Sequence, residues 1–285
     1  MALTHLSLFT GIGGLDLAAE WAGFTTVGQC EWADYQTKVL EKNWPGLHRW
    51  RDIHDLSADE FIRRTGRNRV TIISGGFPCQ PHSLAGKRKA SSDERDLWPE
   101  YRRIICEFKP RWVVAENVRG LLTSEDGRFF RGILRDFSNL GYHVGWGLWG
   151  ACDVGAIHRR ERIFVIAYSG SKRVLDKQLE VYSAKRDQTQ HGIDGYNETP
   201  SDANSVGKQW NIKEKVQEFG KLSRQPYPGS IEEWQRRSNL YQPKLLRSYD
   251  GVPGGVDRVK CLGNSVVPQQ AYPIFKAIAE IELGS

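Results

Sequence analysis

Through about residue 168, short apolar runs alternate with amphipathic stretches, the pattern of strands and crossover helices in a parallel α/β sheet. Strands are predicted at Leu6–Phe9, Thr25–Cys30, Val70–Ile73, Trp112–Ala115, His143–Leu148 and Arg162–Tyr168. Helical periodicity appears between them at Leu15–Trp21, Trp98–Phe108 and Phe129–Leu140. Crossovers of this length imply right-handed, parallel connections. Beyond Tyr168 the character changes. From Ser169 to about Gln242 the chain is polar, with weak periodicity and few aliphatics, and reads either as a separate small domain or as a partly disordered insertion. Trp210, Phe219, Tyr227, Trp234 and Tyr241 favour the former, since they supply a small core or a base-stacking surface. A final helix carrying Ala271, Ile274, Phe275 and Ile278 on one face is expected to return to the first domain, with a kink or late start at Pro273.

Composition changes this picture in two places. A formal charge of +6 and a pI near 9.0 suit an anionic partner, and 285 residues suffice for a substantial core. The five cysteines (Cys30, Cys79, Cys106, Cys152 and Cys261) are scattered and form no Cys-x-x-Cys pair, which argues against a zinc site and against a disulfide framework. A reducing cytoplasm is the expected location. No basic n-region leads into an apolar core and no apolar run approaches bilayer length, so neither export nor membrane anchoring is expected.

Candidate chemistry collects at predicted strand ends. The first strand runs through Phe9-Thr10-Gly11-Ile12-Gly13-Gly14 into a helix, which aims backbone N–H groups at the strand's carboxyl end and suits a nucleoside-bearing ligand. The second strand delivers Glu31 about 20 residues further on, where a carboxylate accepts from ribose hydroxyls. Asp52 reads equally as an adenine contact or as a helix N-cap. After Val70–Ile73 comes Gly75-Gly76-Phe77-Pro78-Cys79-Gln80-Pro81-His82-Ser83, a restricted turn presenting one thiol, which is a candidate nucleophile or a buried structural cysteine. The run Trp112–Ala115 ends in Glu116-Asn117-Val118, placing a carboxylate at the same sheet edge. In His158-Arg159-Arg160-Glu161-Arg162, alternation along an extended segment sends Arg160 and Arg162 to one side, where two guanidinium groups suit a phosphate or a carbonyl-bearing base. The basic run Lys87-Arg88-Lys89 and on to Arg95 reads as a closing lid that contacts phosphates.

In order and content these segments resemble the DNA cytosine-5 methyltransferases, over residues 1–168 and 258–283. Phe9-x-Gly11-x-Gly13-Gly14, Glu31 and Asp52 look like that family's first cofactor motifs, and Pro78-Cys79-Gln80 like its catalytic loop. Glu116-Asn117-Val118 is similar to its catalytic glutamate motif, Arg160-x-Arg162 to its basic substrate motif, and Gly263-Asn264-Ser265-Val266 to its last cofactor motif. The chain departs from the family at His158, where glutamine is usual, and in the arginine motif before the C-terminal segment, where only Arg247 or Arg258 is a candidate.

The resemblance implies a Rossmann-like α/β fold with S-adenosylmethionine as cofactor, a catalytic domain over 1–168 plus 258–285, and a small target-recognition domain over 169–257. It implies cofactor contacts from Phe9, Gly11, Gly13, Gly14, Glu31, Asp52, Ile53, Pro78, Leu97, Asn264, Ser265 and Val266. Catalysis falls to Cys79, Glu116, Arg160 and Arg162, and DNA contacts to Gln80, Ser83, Lys87, Arg88, Lys89 and Arg95. The implied reaction adds the Cys79 thiolate to carbon 6 of a cytosine flipped out of double-stranded DNA, with Glu116 serving ring nitrogen 3. The expected protein is a monomer of bacterial or phage type, with a companion restriction endonuclease left open. RNA cytosine methylation and a catalytically idle DNA-binding protein are the alternatives. A zinc deaminase is not, because H-x-E and P-C-x-x-C are missing.

Overall fold

The computed structural model describes residues 2–78, 97–154, 156, 159–170, 208–209 and 263–284. Cys79, Gln80, Ser83, Lys87, Arg88, Lys89, Arg95 and His158 lie outside them, as does nearly all of the expected recognition domain.

The elements are β1 (Thr4–Leu8), α1 (Gly14–Trp21), β2 (Thr25–Cys30), α2 (Asp34–Asn43), β3 (Arg49–Trp50), α3 (Ala58–Thr65), β4 (Ile72–Gly75), α4 (Trp98–Phe108), β5 (Trp112–Val118), α5 (Arg128–Asn139), β6 (His143–Trp149), β7 (Arg162–Tyr168), β8 (Lys208–Gln209) and α6 (Pro268–Leu283). They form one sheet in the order β3-β2-β1-β4-β5-β7-β6-β8. Alternation along each strand splits the core between its two faces. Leu6 and Leu8 of β1 and Val113 and Ala115 of β5 pack beneath α3, α4 and α5. Trp112 and Val114 pack with Ala18 and Ala19 of α1 and Ile274, Phe275 and Ile278 of α6. β1, β4 and β5 run parallel, so their carboxyl ends, and the loops after Leu8, Gly75 and Val118, share one edge.

An all-parallel arrangement is not what forms. β1 through β5 pair in parallel, but β7 inserts antiparallel between β5 and β6. The cause is the connection. Among the described residues from Gly150 to Glu161 there is one 3-10 turn, Ala151–Val154, and no crossover helix, so the chain returns from the end at which β6 finishes. β8 adds two residues in parallel to β6, pairing Gly145 with Lys208.

Several boundaries move for physical reasons. β1 begins at Thr4 rather than Leu6 because three polar side chains, Thr4, His5 and Ser7, are buried in it. His5 bonds Thr26 Oγ1 at 3.0 Å and Ser74 Oγ at 2.7 Å, and burial pushes its pKa down to about 3, so it packs as a neutral, satisfied ring. Ser7 donates to Asp16 Oδ2 at 2.8 Å, and Gln29 donates to Asp16 Oδ1 at 2.7 Å. β4 is centred later than Val70–Ile73, and β5 continues through Glu116 to Val118. Helices α2 and α3 carry little apolar signal, burying one aliphatic (Leu40) and one aromatic (Phe61). α3 is nevertheless delimited locally: Ser57 Oγ accepts from Glu60 N at 3.2 Å, and Gly66 closes the helix at φ +68°. α6 starts at Pro268, not at Pro273, which lies buried inside it.

Candidate functional site

A cleft opens at the shared edge, lined by Phe9, Thr10, Gly11, Gly14, Leu15, Gly76, Glu116, Asn264, Ser265 and Val266. The loop between β1 and α1 needs its glycines for distinct reasons. Gly11 and Gly13 take φ of +59° and +88°. A Cβ on Gly14 would lie 2.5 Å from the Val266 carbonyl oxygen, so glycine is what lets the C-terminal segment close against the loop. Thr10 ties the loop down, donating to Ser7 O at 3.2 Å and to Cys30 O at 3.1 Å.

Glu31 braces this loop from β2. One carboxylate oxygen accepts from Gly11 N at 2.7 Å and the other from Ala33 N at 2.9 Å, while burial raises its pKa. A carboxylate has lone pairs beyond those two bonds, so the group can hold the loop and accept from a ligand as well. Asp52 behaves as a cap. Its Oδ1 accepts from His54 N at 2.9 Å at the start of a 3-10 turn, Ile53–Asp55, and these hydrogen bonds to His54 lower its pKa.

The second half of the site is built around Glu116. Its side chain is buried, and desolvation raises its pKa from 4.5 to about 7 against the opposing pull of Arg162 and Arg160. Arg162 Nε lies 2.9 Å from Glu116 Oε1. On the other side a Cβ at Gly76 would stand 2.7 Å from Glu116 Oε2, so the turn after β4 approaches the carboxyl as only glycine permits. Asn117 Nδ2 donates to Phe77 O at 3.0 Å, anchoring the chain two residues before Cys79 to β5. Arg160 takes φ +34° and donates from Nη2 to Ser265 O, and its backbone oxygen accepts from Gln270 Nε2 at 3.1 Å. Convergence of the two arginines on Glu116 therefore does not come from simple strand alternation. Glu161 turns the other way, to Arg119 Nη1 at 2.7 Å.

The family model for C-5 cytosine-specific DNA methylases matches residues 3–247. The chain belongs to that family. Among characterised relatives it is 37% identical over 165 residues to the type II methyltransferase M.Sau96I of Staphylococcus aureus, covering 55% of this chain and 37% of that one. It is 34% identical over 168 residues to M.NgoMIV of Neisseria gonorrhoeae, covering 59% of this chain and 52% of that one. The matched segments thus span about half or less of those relatives' own length. In fold, the chain superposes with the Entamoeba histolytica methyltransferase EhMeth (TM-score 0.61, 16% identity, 99% of each chain). It also superposes with the S. pombe methyltransferase Dnmt2 (TM-score 0.57, 20% identity, 99% of this chain and 100% of that one). The fold is therefore the Rossmann-like α/β fold of this class.

Of the residues with which the family resemblance equips the site, Phe9, Gly11, Gly14, Glu116, Asn264, Ser265 and Val266 line the cleft. Glu31, Arg160 and Arg162 reach it through Gly11, Ser265 and Glu116 respectively. Gly13 lies beneath the Trp44 ring, Ile53 is in the core, and Leu97 packs on that core at the start of α4. Pro78 is half-buried and, like Asp52, is not among the lining residues. One contributor carries no sequence signal of its own. Gln270, fully buried, joins α6 to Trp149 O and Arg160 O. Gly76 makes room for Glu116. Trp32, between Glu31 and Ala33, is 70% exposed.

Proposed function

We propose that this chain is a DNA cytosine-5 methyltransferase that moves the methyl group of S-adenosylmethionine to carbon 5 of a cytosine rotated out of duplex DNA. The observation that carries this reading is Glu116, a carboxyl protonated near neutrality in the wall of the cleft formed by the glycine loop and Asn264–Val266. The cleft fits the cofactor's chemistry. Glu31 keeps acceptor capacity for ribose hydroxyls, and the exposed Trp32 indole offers a flat apolar face to a purine. When bound, the cofactor supplies an electrophilic sulfonium methyl.

Carbon 5 of cytosine is too weak a nucleophile until something adds at carbon 6. The Cys79 thiolate forms that bond, and Glu116 gives its proton to ring nitrogen 3 as negative charge arrives there. Arg162 holds the Glu116 carboxyl in place and stabilises it once ionised. With the cofactor bound, carbon 5 would take the methyl group as its bond to the sulfonium sulfur breaks and leaves a neutral thioether; carbon 5 would then lose its proton to water, Cys79 leave as thiolate, and nitrogen 3 return its proton to Glu116. Because the base must leave its stack to meet these groups, a few kcal/mol of unstacking is met by contacts elsewhere on the duplex. Gln80, Ser83 and the basic run through Arg95 are assigned to those contacts, the 169–257 region to sequence choice, and Asp52, Ile53, Pro78 and Leu97 to the cofactor's outer contacts. The chain is read as a cytoplasmic monomer, with a companion restriction endonuclease left open, a partner class to which the type II names of M.Sau96I and M.NgoMIV point.

Incubation with methyl-labelled S-adenosylmethionine and either duplex DNA or transfer RNA tests the reading. Label is expected in DNA at carbon 5 of cytosine. Label in RNA alone, or in neither, refutes it.

A further inference from the structure

We propose that the outer face of α5 is a phosphate-binding surface that grips duplex DNA flanking the modified base. The helix reads Arg-Phe-Phe-Arg-Gly-Ile-Leu-Arg-Asp-Phe-Ser-Asn from Arg128 to Asn139. Phe130, Ile133, Leu134 and Phe137 are buried against the sheet, which leaves Arg128, Arg131 and Arg135 together on the opposite, exposed face. That face has no acid. Asp136 is the only acidic residue of α5, and it turns aside to Trp98 Nε1 at 2.9 Å and Arg102 Nε at 3.5 Å. Arg131 Nη2 donates to the Asp126 backbone oxygen at 3.3 Å, and among the described residues Arg128 and Arg135 are paired with no carboxylate.

Gly132 is the second observation. It sits in the middle of this face, where a Cβ would meet nothing within 4 Å among the described residues and no positive φ requires glycine. A glycine inside a helix costs about 1 kcal/mol relative to alanine, and no contact among the described residues repays it. Close approach of an external backbone to the helix does account for it. Geometry agrees. α5 begins just after the segment that follows Glu116 and runs back along the sheet, so Arg128 lies at the catalytic edge. Arg128 and Arg135 are about 10 Å apart along the axis, the rise of about three nucleotides of one strand.

The inference rests on duplex DNA as the substrate. The test titrates the full chain, wild type and Arg128→Gln/Arg131→Gln/Arg135→Gln, against a mixed-sequence labelled duplex of about 30 base pairs over a range of salt. Losing three phosphate contacts should flatten the slope of log K against log salt by about 2.7, so that the wild-type advantage shrinks about forty-fold from 50 to 200 mM. The single-turnover rate of methylation at saturating DNA is expected to hold, which separates the surface from the chemistry. In a second variant, Gly132→Leu, thermal stability is expected to hold or rise while duplex affinity falls about ten-fold. If the wild type methylates and binds duplex DNA but both variants match its affinity and slope, the surface is overturned and the proposed reaction stands. A wild type that neither binds nor methylates duplex DNA overturns both.

Discussion

Replacing Glu116 with glutamine exchanges a titrating buried carboxyl for a neutral isostere, and the structure sets how much pH dependence should vanish with it. Burial raises the carboxyl from its ordinary 4.5 to about 7 in the folded chain. Below pH 4.5 the group is protonated in both states. Between 4.5 and 7 the unfolded chain ionises while the folded chain holds its proton, so stability falls as pH rises; above 7 the loss is complete. At about 1.4 kcal/mol per pH unit the total is about 3 kcal/mol. Urea unfolding of both proteins from pH 4.5 to 8.5 should therefore show the stability of Glu116→Gln, relative to wild type, growing by about 3 kcal/mol across that window. Arg162 sees a neutral neighbour in the variant at every pH, so the change in the difference isolates the carboxyl. Methylation by the variant should drop about 10²- to 10⁴-fold, because an amide cannot hand a proton to the base. A stability difference that stays flat across the window would mean that Arg162 fully offsets desolvation, and the acid role for Glu116 would fall with it.

Two glycines make sharper demands on the site than any charged residue. Gly76→Ala puts a methyl 2.7 Å from Glu116 Oε2 and should displace that carboxyl, costing about 10²-fold in single-turnover methylation while cofactor binding, measured by calorimetry, changes little. Gly14→Ala collides with the Val266 carbonyl and should do the reverse, weakening cofactor affinity about ten-fold and lowering stability by about 1–3 kcal/mol, with equal affinity counting against the proposed role of the cleft.

The sequence was most legible where apolar periodicity and chemistry coincide. β2, β7 and α4 have their predicted ends, and Glu31, Glu116 and Asn264–Val266 all reach one cleft or brace it. It was least legible where polar groups are buried. His5 and Ser7 interrupt the apolar pattern of β1 and Gln29 that of β2, yet His5 is satisfied by Thr26 and Ser74, and Ser7 and Gln29 by Asp16 of α1, so β1 begins earlier than its leucines suggest. The antiparallel β7 escaped for another reason. Strand spacing alone cannot show direction, and the absence of a helical pattern before Arg162 was the signal that mattered. Roles that depend on two distant segments touching, such as Gln270 against Arg160, have no local pattern to read, and the Gly75-Gly76 turn signals a close approach without naming Glu116 as what approaches.

The central claim is covalent attack by Cys79 on a cytosine in duplex DNA. Duplex substrate in which 5-fluorocytosine replaces cytosine tests it most directly, because fluorine at carbon 5 cannot leave as a proton does and the adduct is trapped after methyl transfer. The account predicts a denaturation-resistant protein–DNA complex that requires S-adenosylmethionine, is lost in Cys79→Ser, and maps by peptide sequencing to Cys79. A complex that persists in Cys79→Ser, or none on a duplex whose unfluorinated form is methylated, would contradict it.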